Sequence, residues 1–184
     1  MTKKRLLITG NCGFIFGNFV RWLLSPRNPK SENYEVIGVD RVNGNPNNLY
    51  VSKSHTFHPA DIRDQHVIDR IVQFEQPDLV IHGAAEFLSP SNDFITSNFL
   101  GTQAIINSCL KNKVQKMVLI SADSVYGSLA SESDPSWKEE SPLNPRNPYS
   151  ASKVSSELLV RAAHQSHGLT FNITRSSNNY GMRQ

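Results

Sequence analysis

Leu6 Leu7 Ile8 Thr9 Gly10 Asn11 Cys12 Gly13 Phe14 Ile15 Phe16 Gly17 is the stretch on which the fold turns. An apolar run suited to a buried strand breaks at Gly10 and resumes after Gly13 in a pattern suited to a helix, so the chain bends sharply from strand to helix. Such a bend aims backbone N–H groups and the positive end of a helix dipole at one point, which suits a pyrophosphate. In a dinucleotide-binding turn one glycine permits the bend, one admits the phosphates to the backbone, and one lets helix and strand pack closely. Gly10 and Gly13 can fill the first two roles. The third falls at Phe16, with the available glycine one residue late at Gly17. If Phe16 crowds the helix against the strand, Phe16→Gly should tighten binding. A glycine-rich turn is weak evidence alone, because a tight turn with no ligand has the same composition.

The 184 residues suffice for one domain with a sizeable core, and 38% hydrophobic with 19% charged residues sets disorder and fibrous classes aside. The net charge of +3 is scattered, and Lys3 Lys4 Arg5 reads as a solvated start to the first strand, so no nucleic-acid partner is expected. No apolar run approaches the ~20 residues of a membrane span, and the start lacks a secretory signal, which predicts a cytoplasmic location and no membrane partner. Cys12 and Cys109 have no metal-ligand spacing, so neither a metal site nor a disulfide framework is implied.

Outward from the turn, strands and helices alternate. A helix continues over Asn18 to Leu24 and breaks in Ser25 Pro26 Arg27 Asn28 Pro29 Lys30; a second strand runs from Tyr34 to Val39 and ends at Asp40. An acidic residue there can accept both hydroxyls of an adenosine ribose and would repel a 2′-phosphate, which favours NAD, whereas Arg41 beside it keeps NADP open. Val42 to Asn48 is polar and turn-rich, and His55 to His58 reads as a short third strand followed by Asp61 Ile62. Asp64 is the expected N-cap of a helix from Gln65 to Phe74 with an apolar face of Val67, Ile68, Ile71, Val72 and Phe74. Asp78 to His82 is a fourth strand running into the small residues Gly83 Ala84 Ala85 before Glu86; Asn92 to Asn112 supports a helix and Lys116 to Ser121 a fifth strand. A polar loop rich in proline leads to a helix from Tyr149 to His167, stopped by Gly168, and a sixth strand from Leu169 to Thr174. The fold expected is α/β, a Rossmann-like doubly wound parallel sheet with helices on both faces and a ligand crevice at the carboxyl ends of the strands.

Tyr149 and Lys153 stand four apart on one helix and so share a face. An ammonium beside a phenol favours phenolate, and the pair could then exchange a proton with a sugar hydroxyl near neutral pH. That spacing alone is a common accident. After a nucleotide turn and a fifth strand ending in Ser121 it carries more weight.

At these residues the chain resembles the extended short-chain dehydrogenase/reductases, and within them the dTDP-glucose 4,6-dehydratases. The motifs are Ile8 Thr9 Gly10 with Gly13 Phe14 Ile15, Asp61 Ile62, His82 with Ala84 Ala85 Glu86, Asn98 with Gly101 Thr102, Asp123 with Val125 Tyr126 Gly127, Tyr149 Ser150 Ala151 Ser152 Lys153, and Thr174 Arg175 with Ser177 Asn178 Asn179 Tyr180 Gly181. The resemblance implies a held NAD that takes a hydride from C4 of a nucleotide sugar, followed in a dehydratase by loss of water across C5 and C6. It implies that Phe14 and Ile15 cover the pyrophosphate, that Asp40 binds the ribose and Asp61 with Ile62 the adenine, and that Gly83, Ala84, Ala85, Glu86 and Ser97 line the nicotinamide side. Tyr149 would be the C4 base, Lys153 would bind the nicotinamide ribose, Asn178 would touch the sugar nucleotide and Asn179 the cofactor. A homodimer is also implied.

The departures point elsewhere. Dehydratases carry S-T-D-E-V-Y-G, in which the Thr assists the Tyr, the Asp protonates the leaving C6 hydroxyl and the Glu removes the C5 proton. Here Ala122 replaces the Thr and Ser124 the Glu, while Asp123 remains, so Asp123 and Ser124 face the substrate by resemblance. The segment from Glu86 to Asn98 is also about five residues shorter than the dehydratase pattern. Residues 1–184 are expected to be the NAD-binding domain, with the family's smaller substrate domain lying beyond them. Three readings follow: a 4,6-dehydratase-like enzyme, an epimerase or reductase for which Tyr149 and Lys153 suffice, and an NAD-binding module without chemistry.

Overall fold

The structure, a computed structural model, describes residues 2–41, 46–87, 93–129, 131, 133 and 135–184. Six strands, β1 (Lys4–Thr9), β2 (Tyr34–Asp40), β3 (His55–Pro59), β4 (Leu79–His82), β5 (Lys116–Ala122) and β6 (Phe171–Ser176), form one sheet in the order β3-β2-β1-β4-β5-β6. Every pairing is parallel. The order reverses between β1 and β4, and this switch point opens the crevice at the carboxyl ends where α/β sheets bind ligands.

A parallel sheet covered on both faces needs apolar residues pointing both ways, which is why Leu6, Leu7 and Ile8 are buried in succession. Helix α1 (Phe14–Leu23) packs Phe16, Val20 and Leu23 on one face against Leu6, Ile8 and Val36. On the other face, Leu7, Ile37 and Val80 meet residues of α2 (Gln65–Glu75), α3 (Gly101–Lys111) and α4 (Pro148–His167). The doubly wound sheet expected from the sequence is thus the observed one. No helix among the described residues is long and apolar enough to cross a membrane.

Helix ends follow local chemistry. Asp64 caps α2 by accepting the N–H groups of His66 and Val67, Asn147 and Ser150 form a capping box at the start of α4, and Gly168 ends α4 in the left-handed conformation. The expected face of α2 needs correction. Phe74 is 81% exposed and Val67 partly so, while Glu75 is only 4% exposed. Glu75 reaches inward because Arg5 and His58 both pair with its carboxylate, the latter at 2.7 Å. A further difference lies before α3, where Ile95–Leu100 forms a π-helical turn instead of α-helix. The expected start of that helix at Asn92, and the front of the polar stretch at Val42, fall outside the described residues.

Candidate functional site

The β1–α1 turn closes on β2 and on itself, with the Gly10 N–H donated to Val39 O at 2.9 Å and the Gly13 N–H to Gly10 O at 3.0 Å. Gly10 has φ +77°, a left-handed conformation that favours glycine, and a Cβ there would stand 2.9 Å from the Ala84 nitrogen. A Cβ on Gly13 would meet the Gly10 carbonyl oxygen at 3.1 Å. Unlike α2 and α4, helix α1 has no side-chain cap, and its first turn holds no acidic residue. Its N–H groups and positive dipole end therefore remain available to an anion. Gly38 on β2 gives the turn room, since a Cβ there would lie 2.6 Å from Asn11 Cγ.

Asp40 ends β2 beside the turn. Its Oδ2 accepts the Cys12 N–H at 2.7 Å and its Oδ1 the Arg41 N–H at 2.8 Å, which fixes the carboxylate and leaves each oxygen a further lone pair. The Arg41 guanidinium turns to Glu86 at 3.4 Å. Cys12 is buried, and burial together with Asp40 raises its thiol pKa, so it is a poor nucleophile. Asp61 pairs with Arg63 at 2.6 Å, which holds its carboxyl below the usual range.

A buried polar chain joins this turn to α4. Thr9 Oγ1 accepts the N–H groups of Gly83 and Ala84 at 3.2 and 3.1 Å, so its hydrogen is free to go to His82 Nδ1, 2.7 Å away. His82 must then carry its proton on Nε2 and donate to Thr102 Oγ1 at 3.0 Å. Burial, with the charge of Lys153 adding, lowers the His82 pKa to about 3, so the ring is neutral. Thr102 donates to the Asn98 carbonyl, and the Asn98 amide binds Glu86 O at 2.8 Å and Ser152 Oγ at 2.9 Å. Ser152 in turn donates to the Tyr149 carbonyl at 2.6 Å. Asn98 thus ties the loop after β4 to the first turn of α4, a role its sequence spacing does not announce.

At the far end Tyr149 and Lys153 share a helix face as their spacing requires, but their coupling differs from expectation. Lys153 Nζ is buried and donates to the Ile120 carbonyl at 2.6 Å. Burial lowers its pKa to about 8, with Glu157 opposing. The Tyr149 phenol is raised, first by burial and then by the Asp123 carboxylate. The expected lowering by Lys153 is therefore overturned: with its ammonium committed to the backbone of β5, desolvation governs the phenol. Ser121 and Ser124, on the strand end and the following turn, each present a buried hydroxyl without a partner among the described residues.

Sequence reasoning missed the brace beneath this end. Glu157, one turn beyond Lys153 and fully buried, receives two bonds from Arg175 of β6 at 2.9 and 2.6 Å. Arg175 also donates to the Tyr126 hydroxyl at 2.5 Å and the Glu139 carbonyl at 3.0 Å, and Tyr126 stacks on Trp137. The second four-residue step, Lys153 to Glu157, was the available signal.

The β1–α1 turn, the loop after β4 and the Tyr149–Lys153 end open on one cleft of about 750 Å³. It is lined by Gly10, Gly13, Phe14, Ile15, Asp40, Asp61 and Ile62 at one end, by Gly83 to Glu86 and Ser97 along the middle, and by Asp123, Ser124, Tyr149, Lys153, Asn178 and Asn179 at the other. Phe16 and Ser121, not expected as lining, also face it.

Comparison with known proteins bears on this arrangement. The model of the "NAD dependent epimerase/dehydratase family" matches residues 6–184. The chain belongs to the NAD-dependent epimerase/dehydratase family. Among curated relatives of this family, a dTDP-glucose 4,6-dehydratase of Streptomyces griseus is 41% identical over 187 residues, covering 97% of this chain and 55% of the relative. Among solved structures, a dTDP-glucose 4,6-dehydratase of Streptomyces venezuelae with NAD and TYD bound superposes with TM-score 0.89 at 38% identity, over 98% of this chain and 57% of that one. The UDP-glucose 4-epimerase of Thermus thermophilus in complex with NAD gives TM-score 0.84 at 31% identity, over 98% of this chain and 57% of that one. The chain thus spans about half the length of the relatives it matches.

Proposed function

We propose that the chain is the NAD-binding part of a nucleotide-sugar enzyme of the dehydratase type, in which oxidation at sugar C4 precedes loss of water across C5 and C6. The observation that carries it is the single cleft joining an uncapped, acid-free helix N-terminus beside Asp40 to the Tyr149, Lys153 and Asp123 cluster. The residues fit NAD: the glycine cradle admits a pyrophosphate, the fixed Asp40 carboxylate can take two ribose hydroxyls, and Asp61 with Ile62 borders the adenine end. When bound, NAD supplies hydride acceptance at the sugar carbon. Tyr149 is the group to exchange the proton of the C4 hydroxyl, Lys153 the cation on its face, and Asp123 the acid toward the C6 hydroxyl. Asn179, bound to Ser176 Oγ at 3.1 Å, would border the cofactor, and the exposed Asn178 the sugar nucleotide.

A second reading has its own support. Ser124 brings no carboxylate to remove the C5 proton, and an epimerase or reductase, for which Tyr149 and Lys153 suffice, needs none. Calorimetric titration should give NAD binding at least about tenfold tighter than NADP; equal or tighter NADP binding overturns the role of Asp40. A version of the protein carrying a substrate domain, incubated with a panel of nucleotide sugars, should yield a product lighter by one water. An isobaric product, or one heavier by two hydrogens, favours the second reading. The 184-residue chain alone should turn over well below about 1 per second.

A further inference from the structure

The missing third glycine of the turn has a counterpart elsewhere in the fold. Phe16, where that glycine would fall, is 7% exposed and packs with Ile8, Val20 and Val36 on one side of the sheet. A Cβ built on Gly83, just past β4, would lie 1.9 Å from Phe16 Cε2, 2.7 Å from Cδ2 and 3.0 Å from Cζ. No side chain fits there while the ring is present. Gly83 has no backbone reason to be glycine, because its φ is outside the left-handed region that Gly10, Gly127 and Gly168 occupy. What a Cβ there would meet is the Phe16 ring.

Gly17 does not stand in for the motif glycine. A Cβ on Gly17 would strike Asn48 Cβ and its carbonyl oxygen, each at 2.7 Å, so Gly17 serves the approach of the Pro46–Asn48 turn. The segment at Gly83 and Ala84 is instead clamped from two sides. Gly10 lies against it, with its built Cβ 3.0 Å from the Gly83 carbonyl carbon and 2.9 Å from the Ala84 nitrogen, and the Phe16 ring lies against the vacant side of Gly83. Thr9 Oγ1 holds both N–H groups of that segment.

We infer that Phe16 and Gly83 form one reciprocal unit, in which the ring on α1 fills the space a side chain at residue 83 would fill and thereby positions the 83–84 backbone against the dinucleotide turn. Both residues line the cleft, so the ring is a positioning residue for the cofactor. The effect on cofactor rests on the NAD reading above; the packing does not. Phe16→Gly does not relieve crowding in this arrangement. It removes the support of the loop.

The test is a double-mutant cycle read by melting temperature and by NAD titration. Phe16→Gly should lower the melting temperature by roughly 10 °C, as loss of a buried ring does in a domain of this size. It should also weaken NAD at least about tenfold. Adding Gly83→Leu to Phe16→Gly should recover more than half of the thermal loss and return NAD affinity to within about threefold of the parent. Gly83→Leu alone should melt lower or fail to accumulate; Phe16→Leu, which keeps most of the volume, gives a folded intermediate that should lie between parent and Phe16→Gly. A double variant no better than Phe16→Gly, or a Phe16→Gly protein that melts like the parent and binds NAD more tightly, overturns the inference. Thermal recovery in a protein whose parent binds no NAD would uphold the packing unit and overturn its cofactor role and the NAD reading together.

Discussion

At the β1–α1 end of the cleft, the ring of Phe16 stands where the motif has glycine, and the bare backbone of Gly83 makes room for it. At the β5 end, Ala122 and Ser124 stand where the dehydratase pattern has Thr and Glu, and the carboxylate of that turn is Asp123; two serine hydroxyls there have no partner among the described residues. The contrast separates volume from chemistry. Lost or gained volume can be balanced by a neighbour across a contact, because packing is indifferent to which chain segment supplies the atoms. A lost general base cannot be balanced so, since its place is fixed by the reacting atom.

The largest effect should come from restoring the chemistry. In a version carrying a substrate domain, Ala122→Thr with Ser124→Glu should raise formation of a 4-keto-6-deoxy product by about 10² or more, the scale of a positioned hydroxyl or general base. Each single change should give less than the pair, because proton transfer at C4 and proton removal at C5 are successive and the residues act as one unit. Product is measured by mass. No keto-sugar from the double variant, with an epimerised or reduced product from the parent, would break the dehydratase side of the comparison. If both variant and parent bind NAD and neither acts on a sugar, the module without chemistry gains.

A middle-sized effect lies on the bridge between the two ends. His82 is held neutral, with a folded pKa of about 3 against about 6.5 unfolded. The unfolded chain therefore binds more protons between those values, and stability rises with pH across that window. The contribution is complete above the unfolded pKa and is lost as pH falls toward 3; at pH 5 it should be reduced by about 2 kcal/mol. His55, lowered by burial, acts in the same direction, so the comparison is between parent and His82→Asn. Denaturant melts at pH 7 and pH 5 should show the smaller acid loss in the variant. Equal slopes would mean that His82 is not the buried neutral link.

The sequence carried the sheet almost entirely, because buried parallel strands read as apolar runs and the helices between them have caps and stops. It misjudged α2, since periodicity gave Phe74 to the core while Arg5 of β1 and His58 of β3 both pair with Glu75. The residues lining the cleft were legible because turn glycines, strand-end carboxylates and the Tyr149–Lys153 spacing are local signals. Their electrostatics were not: the commitment of Lys153 to Ile120 O and the approach of Asp123 to Tyr149 depend on how β5 and α4 meet. The pairings of Gly83 with Phe16 and of Glu157 with Arg175 were invisible for the same reason. The two pairs span 67 and 18 residues.

The smallest effect on the fold should be at Ser121, and it sharpens the comparison most directly. Its hydroxyl is buried at the cleft with no partner among the described residues, so the folded chain bears the cost of desolvating it without a bond in return. Ser121→Ala should therefore leave the melting temperature unchanged or raise it by up to about 3 °C. If the hydroxyl is kept for a ligand, the same variant should bind NAD or a nucleotide sugar several-fold more weakly, up to about tenfold, the worth of one neutral hydrogen bond. Stability and affinity would then move in opposite directions, the mark of a group retained for chemistry at this end of the cleft, whereas at Phe16 they fall together. A Ser121→Ala protein that melts several degrees lower would show that the hydroxyl serves the fold, and the two ends would no longer differ in kind.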